Sequence, residues 1–345
     1  MKFIESLYIK VFVNIVVAKK STQIYINLYA KGNLRDSFEE TFDGKTLNEK
    51  MLSFIKSYTK ETPFYYISIL DYSSEQGAIP TCSKNLLPRY HDMSECEYKC
   101  QDKQWTHYTS KTDLYEIERH YESIGVDFIF SPFTILSQFF KDKIDGHVAL
   151  YILIQEEFIS LSVFENSKLL YAQHLDMNYT EVSEELETVD TSLELDIEEE
   201  EDGIDLENID AMDSIDEMDS LDDFGDIEDL DSLDDIEEFD ETEDVEEEFY
   251  HEEEQINNQE TEQESEETFN EDYQRFTHVQ KSIQNFYEDS NYESQFVENV
   301  YIADAVGITN ELKKFFEEEL FMSVYIRQIM LSAELGEIAI TEFMA

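Results

Sequence analysis

The chain has 345 residues, with 82 Asp and Glu against 24 Lys and Arg and a formal net charge of −58. That surplus of carboxylates repels a phosphate backbone, which argues against a nucleic-acid partner, and no apolar run reaches the ~18 residues of a membrane-spanning helix. The charge is local. No Lys or Arg lies between Lys168 and Arg275, and residues 181–270 hold 44 of the acids, so the other 255 residues carry 38 acids and 24 bases, a net of −14. A body of that size can bury a core of its own, about three-quarters of the surface of its unfolded chain. The composition therefore predicts a globular body (residues 1–180 and 271–345) interrupted by an acidic insertion at 181–270 that lacks the apolar surface to offset its ordering entropy.

In chain order, residues 8–18 and 22–29 are rich in β-branched and aromatic side chains around Lys19-Lys20 and read as a strand hairpin. Lys10 and Asn14 interrupt the first apolar run and no small-residue cleavage site follows, so it reads as a strand rather than a signal peptide. Helical spacing of Leu47, Met51, Leu52, Ile55 and Tyr58 predicts a helix over 47–60, and FYYISIL at 64–70 a buried strand. A helix over 114–123, a strand over 126–130 and a helix capped by Ser131 and opened by Pro132 follow. Strands at 148–154, 158–164 and 169–174, with Asn166-Ser167 in the second turn, form a tight β unit. Past the insertion come a helix (273–287), a strand (296–303), a helix (310–321), a strand (324–329) and a closing helix (333–344). Strands alternating with helices make this an α/β protein.

The segment VALYILIQEEFISLSVFENSKLLYAQHL (residues 148–175) resembles the second phosphate-loop hairpin of actin-like ATPases, and more narrowly the PilM proteins of type IV pili and the cytoplasmic part of GspL in type II secretion. IGVDFIFSPFTIL upstream is similar to the strand and helix before that hairpin. VQKSIQNFY and VYIADAVGITNELKKFFEEELFMSV downstream are similar to the helix and the strand-helix-strand around the adenine site. The order of these segments, over roughly half the chain, carries the resemblance. It implies an actin-like (ribonuclease H-like) two-lobed fold. The bland alternative is a generic α/β protein with a similar hairpin.

Set on that pattern, the chain departs where chemistry is done. The family's metal-holding Asp falls at Leu153, its phosphate-wrapping glycines at Gln155 and Glu157, a second Asp at Ser160, and the adenine-site Gly-Gly at Asp304-Ala305. No Asp-Ile-Gly loop joins the first two strands, only Ala18-Lys19-Lys20-Ser21-Thr22. Glu156 and Glu157 would set negative charge against phosphate, at about 1 kcal/mol per pair in water and roughly 4 near a protein surface. The expectation is a degenerate site with no nucleotide cofactor and no catalysis. The resemblance then implies a scaffold at the inner-membrane face that grips the cytoplasmic tail of a PilN-like membrane protein in a groove of the first lobe. A PilO-like protein would be an indirect partner. The assembly would be a multi-copy ring or array in a pilus, secretion system or polar flagellar motor. The competing functions are an ATPase or sugar-kinase relative with a divergent site, and a carrier whose active part is the acidic tract.

That tract holds an apolar residue at every third position twelve times: Leu206, Ile209, Met212, Ile215, Met218, Leu221, Phe224, Ile227, Leu230, Leu233, Ile236 and Phe239. A step of three turns an α-helix by ~300°, so no helical face forms, whereas an extended chain of three residues per turn aligns all twelve about 9 Å apart. The two readings are a ladder of short motifs for a basic partner and a solubilising spacer. No EF-hand loop, G-x-S-x-G or phosphate-binding G-x-x-x-x-G-K occurs. Cys82, Cys96, Cys100 and His107, with His91 as substitute, have the composition of a zinc site. Against that stands an odd, sparse set of reduced, packed thiols in the cytoplasm.

Overall fold

The computed structural model describes residues 8–144, 146–177 and 258–344, with only the backbone of 258–268. The insertion, including all twelve ladder positions, otherwise lies outside the described residues.

Apolar side chains alternate across strands whose two faces are both covered, which gives nearly continuous hydrophobic runs. β1 (Lys10–Val17) is the clearest case, with all but its first residue buried. It pairs antiparallel with β2 (Ser21–Ala30), which pairs antiparallel with β3 (Asn33–Asp43). On its other side β1 runs parallel to β4 (Tyr65–Leu70), and β4 to β8 (Phe128–Phe130), so the order is β3-β2-β1-β4-β8. The second sheet repeats this plan: β9 (Ala149–Ile154), β10 (Phe158–Glu165) and β11 (Lys168–Asp176) form an antiparallel meander. β12 (Asn299–Asp304) and β13 (Ser323–Gln328) then add in parallel, in the order β11-β10-β9-β12-β13. Two sheets with the same 3-2-1-4-5 topology are the two lobes of an actin-like, ribonuclease H-like α/β fold.

Helices α1 (Glu49–Thr59) and α2 (Lys111–His120) cover the outer face of the first sheet, where Val11, Val13, Ile15, Met51, Ile55 and Ile117 share one cluster. Helices α4 (Asn258–Glu288) and α5 (Asn310–Glu319) cover the outer face of the second sheet through Phe276, Ile283, Leu312 and Phe316. The remaining two helices exchange sides. α3 (Pro132–Phe139) follows the first sheet but packs on β9 and β10, and α6 (Leu331–Met344) follows the second but packs on β1, β2 and β4. The inner faces, α3 and α6 thus share one core containing Phe12, Leu136, Tyr151, Phe164 and Leu335.

Local chemistry accounts for several boundaries. The Asn48 side chain accepts from the Lys50 and Met51 N–H groups and opens α1; the Ser131 hydroxyl accepts from Phe133 N–H, with Pro132 at the first helical position of α3. Asn166 and Ser167 both have φ > 0, as a two-residue hairpin turn requires.

Three features differ from the sequence reading. β3 gives no strand signal because most of its side chains are exposed, so it shows no apolar alternation. A small sheet, β5 (Gln76–Ile79), β7 (Trp105–Ser110) and β6 (Cys96–Gln101), is inserted between β4 and α2. Finally, α4 starts fifteen residues before the predicted Tyr273, inside the stretch assigned to the insertion, because the Gln and Glu of 258–268 favour helix without making an apolar stripe.

Candidate functional site

Where an actin-like fold would hold phosphate, two hairpin turns face each other: Ala18–Ser21 after β1 and Gln155–Glu157 after β9. A phosphate cradle needs free backbone N–H groups and glycine-like conformations. Here neither turn contains a residue with φ > 0. Gln155 N–H donates to Phe158 O at 3.0 Å, and Glu157 N–H to the Gln155 side-chain oxygen at 2.8 Å. Lys19 N–H, across the cleft, donates to the Glu156 carboxylate at 2.9 Å. The Gln155 amide donates to Val17 O at 3.2 Å, and Lys45 pairs with Glu157. A backbone carbonyl, an amide oxygen and the Glu156 carboxylate therefore each take one of these N–H groups, and Glu156 and the Gln155 amide tie one turn to the other. A cleft of about 330 Å³ remains, lined by Ser21, Gln155, Glu156, Ala305, Val306 and Met330.

The other positions carried over from the family are packed or hydrogen-bonded within the fold. Leu153 is fully buried in the shared core. Ser160 is buried on β10, with its hydroxyl 2.8 Å from His174 Nδ1 on β11. Asp304 is fully buried at the end of β12 and accepts from the N–H groups of Val306 (3.0 Å), Gly307 (2.8 Å) and Ile308 (3.0 Å), closing a turn that uses φ = +80° at Gly307. Ala305 N–H donates to Ile154 O at 3.1 Å.

The metal candidates are not brought together. Cys82 and Cys100 form a disulfide, correcting the expectation of reduced thiols, while Cys96 is buried and free. His91 stacks on Tyr108 at 4.3 Å. Among the described residues no three His, Cys, Asp or Glu side chains are placed to hold a metal. The disulfide is illegible in the sequence because Cys82 and Cys100 belong to segments separated by β7 in the inserted sheet.

The sequence also gives no sign of a groove of about 460 Å³ between the inserted sheet, β8 and α6. Lys99 and His107 form one wall, Phe128 and Phe130 of the terminal strand β8 the floor, and Glu334 and Glu337 of α6 the other wall. Lys99 reaches Glu342 at 2.6 Å across it. Burial, then the charge of Glu337, pushes the Glu334 carboxyl above its ordinary value, and Asp127, Glu334, Glu337 and Glu342 set four carboxyl groups against Lys99 in the lining.

Burial, and for His107 also Lys99, lowers His107 and His174 to about 4. Between that value and the unfolded ~6.5 the unfolded chain binds more protons, so stability rises with pH across this window and is lost as pH falls from 6.5 to 4. Both rings keep some contact with solvent, so the expected loss is about 1–2 kcal/mol each. Urea midpoints at pH 7 and pH 4.5 should differ accordingly, and by less in His174→Gln.

Two sheets of repeated topology around a cleft define an actin-like protein. Residues 150–344, more than half the chain, match the family model described as Domain of unknown function (DUF8341), and the chain belongs to that family; residues 8–137 match Domain of unknown function (DUF8569). No curated protein sequence matches. Among solved structures it is similar to a Bacteroides thetaiotaomicron protein with actin-like ATPase fold and unknown function (11% identity, 99% of this chain, 98% of that one, TM-score 0.49). Others are a PilM-PilN type IV pilus biogenesis complex (10%, 48% and 61%, 0.34) and an exopolyphosphatase from Cytophaga hutchinsonii (9%, 49% and 51%, 0.27). No helix among the described residues is long and apolar enough to cross a membrane.

Proposed function

We propose that this chain is a non-enzymatic, PilM-like scaffold in which the groove beside β8 grips an extended tail of a PilN-like membrane protein. The observation that carries the reading is the Glu156 carboxylate on Lys19 N–H: a backbone donor facing the phosphate position already holds a side chain of the chain itself. With catalysis set aside, the groove is the working surface. An edge strand with aromatic neighbours suits a segment added by strand pairing, and the Glu334–Glu337 wall selects a basic one. Attachment to the inner membrane is then indirect, through that partner, in an envelope machine of the pilus, secretion or flagellar-motor kind.

A synthetic peptide from the cytoplasmic end of a PilN-like protein, apolar with Arg or Lys, is expected to bind the full chain with micromolar Kd. Glu337→Lys should weaken it about tenfold, or ~1.4 kcal/mol, and salt should weaken the wild-type complex. No binding at millimolar peptide, or binding indifferent to Glu337→Lys, would contradict the assignment.

A further inference from the structure

We propose that the Cys82–Cys100 disulfide is a redox latch that fixes the groove wall and its tie to the second lobe. The proposal rests on the groove being the working site, and concerns its regulation. The bond closes a loop with a sequence separation of 18. Near its end is Lys99, which lines the groove and pairs with Glu342 of α6 at 2.6 Å. In its middle are Arg89 and Tyr90, which reach the other lobe. Arg89 donates to the Asn291 side chain at 3.0 Å and Ser290 O at 3.4 Å, and Tyr90 lies 5.5 Å from the Tyr292 ring. One covalent loop thus holds both the groove wall and a bridge to the segment after α4.

Cys100 is exposed, so a dithiol reductant can reach it. The reductant's thiolate attacks Cys100 Sγ, and Cys82 leaves as a thiolate. The reductant's second thiolate then displaces Cys100, so two electrons and two protons pass to the protein while the dithiol closes to its own disulfide. Cys96 is no competitor, being buried and with its thiol held above the ordinary range, first by burial and then by Glu75 and Asp92. With the bond open, residues 82–95 keep the buried Leu87, the His91–Tyr108 stack and exposed polar contacts worth little individually, and β6 keeps its pairing with β7 as an edge strand.

Hydrogen exchange of the full chain, oxidised and after dithiothreitol, tests this. Reduction should raise exchange at least ~tenfold at residues 87–91 and 96–101 while β1 and β9 stay protected, and should weaken binding of the tail peptide. A Cys82→Ser, Cys100→Ser chain should match the reduced protein in both states. Equal exchange in oxidised and reduced protein overturns the latch, as does a rise throughout the first lobe, which would make the bond a global staple. The exchange contrast is read without peptide, so a peptide that binds neither form sinks the scaffold reading, while the latch stands or falls on exchange alone.

Discussion

Asp272→Ala is expected to lower folding stability by about 3–5 kcal/mol, because it leaves a buried guanidinium without its main partner. Asp272 is fully buried on α4 and accepts from Arg275, itself nearly buried, at 2.7 Å. Its second oxygen accepts from Thr309 N–H at 3.0 Å and from the Thr309 hydroxyl, and Thr309 in turn caps α5 through Glu311 N–H at 3.2 Å. One carboxylate therefore joins the two helices that cover the second sheet. Glu271, the remaining partner of Arg275 among the described residues at 3.1 Å, is more than half exposed and cannot replace it. Denaturant titration should show a lower midpoint with an unchanged slope. A loss under about 1 kcal/mol would place the pair among surface ion pairs instead.

Gly336→Ala is expected to destabilise by about 1–3 kcal/mol, although alanine is intrinsically the better helix former by roughly 1 kcal/mol. α6 crosses the first sheet at this residue. A Cβ there would lie 2.6 Å from Asn27 Oδ1 and 2.8 Å from Asn14 Nδ2. Neither side chain can retreat, since Asn14 donates to Asn27 at 2.8 Å and to Tyr25 O at 3.0 Å, and accepts from the Ser68 hydroxyl at 2.7 Å. Asn14, Asn27 and Ser68 are all buried, so moving one leaves polar atoms unpaired. A rise in thermal midpoint would mean that the helix can lift without breaking this network.

Elements governed by local chemistry are legible in the sequence. The run of β1, the cap of α3 and the turn at Asn166-Ser167 depend on neighbours a few residues away. What stays hidden depends on distance in the chain or on exposure. Lys19 meets Glu156 across 137 positions, and Lys45 meets Glu157 across 112. Asn14 is visible as a break in an apolar run, yet its reason is Gly336 at the far end of the chain. β3 and β6 carry too many exposed side chains to show a period of two, while β5 and β7 are short and covered on both faces. Of the candidate site, the lack of glycine at Gln155, Glu157 and Asp304 can be read from residue type alone. That the Glu156 carboxylate accepts from Lys19 N–H across the cleft cannot.

Calorimetric titration of the full chain with Mg-ATP puts the closed cleft to its most direct test. A cleft whose Lys19, Gln155 and Glu157 N–H groups are already taken should show no saturable binding up to millimolar nucleotide and no change in thermal midpoint. A micromolar Kd, accompanied by release of Glu156 from Lys19, would contradict it.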